Sequence, residues 1–196
     1  MKTAFLFMSL FLNSLLFAQP KANDRAANRT ANSIQPALNE VIQDYFNHFQ
    51  NSKGVVESDI SGIVSYESKI KLPGALSCTI VKYDSPDAYS WTAVMFEDED
   101  FQTAVKKYNE YYREINNHNF QPFGFEKYLL AGKLDNAEES RSFASTLLRL
   151  NGTQKEMEHF FVDLGMQYEF PKWVVKISVY EKMPDDEMRP GMKTIQ

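Results

Sequence analysis

Residues 158–181 read EHFFVDLGMQYEFPKWVVKISVYE, and their period decides the fold. Phe160, Val162, Leu164 and Met166 alternate with Phe161, Asp163, Gly165 and Gln167. After Pro171 the alternation resumes with Trp173, Val175, Ile177 and Val179 against Val174, Lys176, Ser178 and Tyr180. Side chains two apart share one face of a strand, so both segments read as strands with one strongly apolar face. Their close spacing across a proline turn predicts an antiparallel pair.

Working outward, the same period predicts strands over Val64 to Leu72 and Leu76 to Val81, with Pro73-Gly74 as their turn, and over Tyr89 to Phe96, which is apolar on both sides and therefore central. Lys127 to Leu134 and Ser142 to Leu150 read the same way. Two stretches have helical spacing instead: Ile34, Leu38, Val41, Ile42, Tyr45, Phe46 and Phe49; and Phe101, Ala104, Val105, Tyr108, Tyr111, Tyr112 and Ile115. Asn32 or Ser33 can cap the first, and Glu97 to Asp100 stand where the dipole of the second favours acids. Tyr108, Tyr111 and Tyr112 are expected to pack on the sheet with their phenol tips in water.

The expected fold is α+β: an antiparallel sheet of about seven strands with two amphipathic helices on one face. Corresponding elements recur at offsets of about 65 to 69 residues, so a helix plus three-stranded meander, given twice with one strand added, describes the order as well as chance does. This helix-then-meander order resembles the tandem β-lactamase-inhibitor-protein architecture and PepSY-like domains. No residue motif accompanies the resemblance, which implies a topology and no activity.

At the amino end, residues 1–18 combine Lys2, an apolar run and Ala18, the pattern of a secretory signal peptide cleaved after Ala18. The run is broken by Asn13 and Ser14, short of the roughly 20 apolar residues of a membrane span. The style is that of a Gram-negative bacterial export, which predicts a periplasmic or extracellular product with no stable membrane insertion. Residues 19–32 lack large apolar side chains and read as a disordered leader, 33–183 as one domain with halves 33–97 and 98–183, and 184–196 as a flexible tail.

The net charge of −5 argues against a nucleic-acid partner. His48, His118 and His159 have no metal-ligand spacing, the glycines form no phosphate loop, and no Gly-x-Ser-x-Gly occurs, so no metal, cofactor or nucleotide is expected. The acidic runs lack the order of a calcium loop. The single Cys78 reads as a small buried hydrophobe, with an intermolecular disulfide as the alternative. Asn28-Arg29-Thr30 and Asn151-Gly152-Thr153 match the glycosylation sequon and read as a loop and a turn.

If the helices cover the face bearing Phe160 and Trp173, then Phe143, Phe161, Val174 and Tyr180 lie opposite, with no third helix to cover them. An uncovered apolar patch marks a partner or ligand surface, unless the sheet curls over it or the chain forms a homodimer there. The expected function is therefore a non-catalytic binding module, presenting a face or edge of its sheet to a protein, peptide or small apolar ligand in the envelope. The rivals are a small hydrolytic or redox-linked enzyme built on His159, Cys78 or a carboxylate pair, and an accessory factor of an envelope assembly.

Overall fold

The computed structural model describes residues 33–84 and 87–181; the signal peptide, leader and tail expected at 1–18, 19–32 and 184–196 lie outside the described residues. In chain order the elements are α1 (Gln35–Tyr45), β1 (Lys53–Ile60), β2 (Ile63–Ser68), β3 (Ser77–Asp84), β4 (Asp87–Asp98), α2 (Phe101–Ile115), β5 (His118–Phe120), β6 (Tyr128–Ala131), β7 (Phe143–Leu150), β8 (Phe160–Glu169) and β9 (Lys172–Glu181). The class is α+β, and every strand pairing is antiparallel. The sheet has nine strands, in the order β1-β2-β3-β4-β9-β8-β7-β6-β5, and not about seven.

The two strands absent from the sequence reading are the two edges. β1 leaves Val55, Val56 and Ile60 exposed, and register shifts interrupt its pairing with β2, so no clean alternation marks it. β5 has three residues and follows Asn117 at φ 60°, which reads as a loop. The starts of α1 and α2 lie 66 residues apart, those of β1 and β5 65, and those of β3 and β7 66. Each helix thus leads into a four-stranded meander, where three strands were expected, and β9 fills the centre between β4 and β8.

Local chemistry explains the helix ends. Asp100 caps α2 by accepting the Thr103 N–H at 2.7 Å. In α1 the cap position is Ile34 rather than Asn32 or Ser33, and its N–H donates to the Glu114 carboxylate of α2 at 2.8 Å. Ser33 Oγ adds a longer contact with the Gln35 N–H, 3.3 Å. At the other end of α1, the buried Asp44 carboxylate accepts from Asn51 Nδ2 at 2.7 Å and from the Ser52 N–H at 2.8 Å. That turn holds His48 and Phe49 at positive φ and lets Phe49 complete the apolar stripe as a fully buried residue.

Both helices pack on the sheet face formed by Trp91 and Ala93 of β4, Val175, Ile177 and Val179 of β9, and Phe160, Val162, Leu164 and Met166 of β8. Tyr45 of α1 meets Phe160 edge-on at 4.9 Å, and Phe101 of α2 meets Trp173 at the same separation. Fully buried side chains such as Phe160 each stabilise the fold by roughly 1.5–3 kcal/mol relative to exposure. The buried Trp91 Nε1 is paired, donating to Ser68 Oγ at 2.9 Å. The helix tyrosines depart from expectation, since their hydroxyls end on protein atoms instead of water. Tyr108 shares 2.6 Å with Thr146 Oγ1, Tyr111 reaches the Met95 carbonyl at 3.3 Å and Tyr112 the Gly132 carbonyl at 2.9 Å.

Candidate functional site

Strand register sets the composition of the face opposite the helices. Paired residues share a face, so Ser65, Val81, Ser90, Tyr180 and Phe161 form one row across β2-β3-β4-β9-β8. Glu67, Thr79, Thr92, Ser178, Asp163 and Leu147 form the next, and Ser77, Val94, Lys176, Gly165 and Ser145 a third. Thr92 and Ser178 hydroxyls are 3.0 Å apart. Asp163 accepts from Ser145 Oγ at 2.8 Å and from the Tyr180 hydroxyl at 3.4 Å. Burial, with the Asp163 carboxylate beside it, pushes the Tyr180 phenol up to about 12.

The four residues expected on this face lie on it, but in different environments. Phe143 is 61% exposed, with the Arg141 guanidinium 5.6 Å from its ring centre. Tyr180 is half-buried and turned towards Asp163. Phe161 is only 4% exposed, with the Arg149 guanidinium 4.4 Å from its ring centre. Val174 is 3% exposed, its neighbours across the sheet being Glu97 and Gln167. Nearby, Lys172 pairs with Glu97 at 3.0 Å, and Lys176 and Gln167 both contact Glu169. Phe161 and Val174 are therefore packed among long polar side chains, whose aliphatic stems cover apolar surface while their heads stay in water.

Two groups of exposed apolar side chains stand at the ends of the sheet. At one end Ile63 pairs with Ile60 on one side and Tyr83 on the other, all three exposed, beside the Ser61-Gly62 turn. At the other end stand Phe143, Tyr168 and Phe170, the last 87% exposed. A hollow of about 340 Å³ opens there between Glu99, Glu139, Ser142, Tyr168, Pro171 and Trp173. Except for Phe143, the sequence reading missed these groups, and no local motif joins them.

Two other hollows lie elsewhere on the surface. One of about 530 Å³ is lined by Phe123, Glu126, Tyr128, Gln154 and Glu156. Within it the Tyr128 hydroxyl donates to Glu126 and accepts from Gln154 Nε2, and the Glu126 hydrogen bond holds the phenol above its ordinary range. The second, about 380 Å³, is lined in part by the Asp135–Arg141 pair, a two-pronged contact of 3.0 and 2.8 Å.

The reactive candidates are dispersed. Cys78 is buried, which pushes its thiol up. His159 is half-buried, lines none of these three hollows and forms no hydrogen bond with a described residue. His48 is exposed near Tyr89, and His118 lies on β5. In the acidic run before α2, Glu97 pairs with Lys172, Asp98 accepts the Asp100 N–H at 2.8 Å, and Asp100 is the cap. Among the described residues no group of three or more His, Cys, Asp or Glu side chains is placed to hold a metal ion, and no helix is long and apolar enough to cross a membrane. No family model, no curated protein and no solved structure matches the chain.

Proposed function

We propose that this is an exported, non-catalytic binding module that recognises a protein or peptide of the envelope across the sheet face opposite its helices. The observation that carries the reading is the asymmetry of the sheet: both helices pack on one face, while among the described residues no helix packs on the other. A hydroxyl-rich surface with Phe143 at its margin suits a partner of protein size better than a small ligand, since Phe143, Phe161, Val174 and Tyr180 line none of the three hollows. Six strands about 4.8 Å apart and about 26 Å long give roughly 750 Å². That footprint is comparable with the ~800 Å² each partner buries in an ordinary stable complex. The repetition of helix and meander supports a reading of two related halves sharing one sheet.

The test is capture from an envelope extract on immobilised protein, comparing the unaltered chain with Thr92→Lys and Phe143→Ser on the proposed face and with Lys106→Glu on the exposed side of α2. The expected result is a stoichiometric partner retained by the unaltered chain and by Lys106→Glu, and lost from both outer-face variants. Retention unaffected by Thr92→Lys and Phe143→Ser would remove the face from consideration.

A further inference from the structure

We propose that the 340 Å³ hollow at the β8–β9 end of the sheet is a binding site for an alkylammonium group. Its volume falls at the lower end of small-molecule sites, ~300–1,000 Å³. Trp173 forms one wall, backed by Phe101 of α2 at 4.9 Å, and Tyr168 stands 5.1 Å from Trp173 with the rings inclined at 50°. The Ser142 carbonyl accepts the Tyr168 N–H at 2.8 Å and fixes that wall to the start of β7. Both rings line one space, and the π-density of aromatic rings attracts a cation.

The charges around the hollow point the same way. Elsewhere the chain supplies its own cations to its rings: Lys53 lies 4.2 Å from Tyr89, Arg149 4.4 Å from Phe161 and Arg141 5.6 Å from Phe143. Among the described residues none is so placed over Tyr168 or Trp173. Glu99 and Glu139 line the same space, and neither has an ion pair or hydrogen bond with a described residue. The nearest acids differ, since Glu97 is held by Lys172 and Asp100 caps α2, setting a negative group at that helix's positive end. Two carboxylates without a cation beside two rings without a cation define the missing charge. An alkylammonium satisfies both kinds of partner, its methyl or methylene groups lying on the rings.

The experiment is a fluorescence titration of the full chain with choline chloride, exchanged against sodium chloride at constant ionic strength. Trp173 lines the hollow, whereas Trp91 is fully buried and bonded to Ser68, so a ligand-dependent change reports on the site. The expected result is a saturable change that Tyr168→Ala and Glu139→Gln each weaken about tenfold. The neutral isostere 3,3-dimethylbutan-1-ol is expected to bind at least about tenfold more weakly than choline. A parallel titration with Nα-acetyl-lysine amide separates the sources: saturation by it assigns the site to a partner's lysine side chain, and saturation by choline alone to a quaternary amine. Equal binding of the alcohol, or unaltered choline binding by both variants with circular dichroism showing them folded, would overturn the proposal. The site does not depend on the outer-face reading, and Thr92→Lys is expected to leave the titration unchanged.

Discussion

Phe161 and Phe143 sit on the same sheet face and differ mainly in burial, which makes a paired substitution a measure of what that face does. A phenylalanine buries roughly 150 Å² or more, worth about 4 kcal/mol at ~25 cal/mol per Å². With 4% exposure, Phe161 realises nearly all of this. Truncation to Ala opens onto solvent instead of leaving a sealed cavity, so the expected cost is about 3 kcal/mol, the low end for Phe→Ala. Phe143, 61% exposed, realises a little over a third and is expected to lose about 1.5 kcal/mol or less. The assay is urea unfolding followed by tryptophan fluorescence, read as the shift in midpoint at unchanged slope. A double-mutant cycle with Arg149→Ala, whose guanidinium lies 4.4 Å from the Phe161 ring centre, is expected to return a coupling of about 0.5–1 kcal/mol. If Phe161→Ala costs under about 1 kcal/mol, or no more than Phe143→Ala, the ring is not the packing element described, and the burial argument for this face fails.

Three further outcomes follow from named contacts. Burial by itself raises the Asp44 carboxyl, but hydrogen bonds from Ser52 and Asn51 outweigh it and leave the group below its ordinary 3.8. The associated stability is thus fully present above that value and is lost as pH falls through the folded-state value. Asp44→Asn is expected to lower stability by about 2 kcal/mol at neutral pH and to flatten the dependence of Tm on pH below 3.8, checked by thermal scans across that range. Gly132→Ala would place its Cβ 2.2 Å from the Leu147 carbonyl oxygen, so a loss of about 2 kcal/mol or more is expected in urea unfolding. The buried Cys78 thiol is expected to ignore a disulfide reagent in the native protein and to react completely in denaturant; fast native labelling would show that the site opens.

How much of the fold could be read from sequence depended on whether burial was one-sided. β9 appears over the expected Lys172–Glu181, because its inner residues are buried to the last turn of the pleat. Between Val64 and Leu72 the alternation outran the strand: β2 ends at Ser68, yet Leu72 remains buried as a loop residue over the core. Alternation reports which side chains are buried, and a loop crossing a core can produce it. The edge strands fail for the converse reason. With Val55, Val56 and Ile60 exposed, β1 is held by backbone pairing to β2, to which hydropathy is blind.

The candidate surfaces were harder to read because their covering groups come from other strands. Parity along β8 and β9 puts Phe161 and Val174 on the outer face, but whether they are accessible depends on Arg149 and on Glu97, which register brings alongside. Glu99, Glu139, Tyr168 and Trp173 meet only through tertiary structure. Once register is known, the outer face can be read row by row. Its middle rows carry short groups, Thr79, Thr92, Ser178, Gly165 and Ser145, beside Glu67, Asp163 and Lys176, and further charged chains, Arg149, Glu169 and Lys172, stand towards its ends. Short side chains lose little rotamer entropy when a partner docks, and immobilising a long one costs ~0.5–1.5 kcal/mol. Around Thr92 the neighbours across the sheet are the short Thr79 and Ser178, so Thr92→Lys, placing a long cation among these hydroxyls, is the decisive variant for the binding reading.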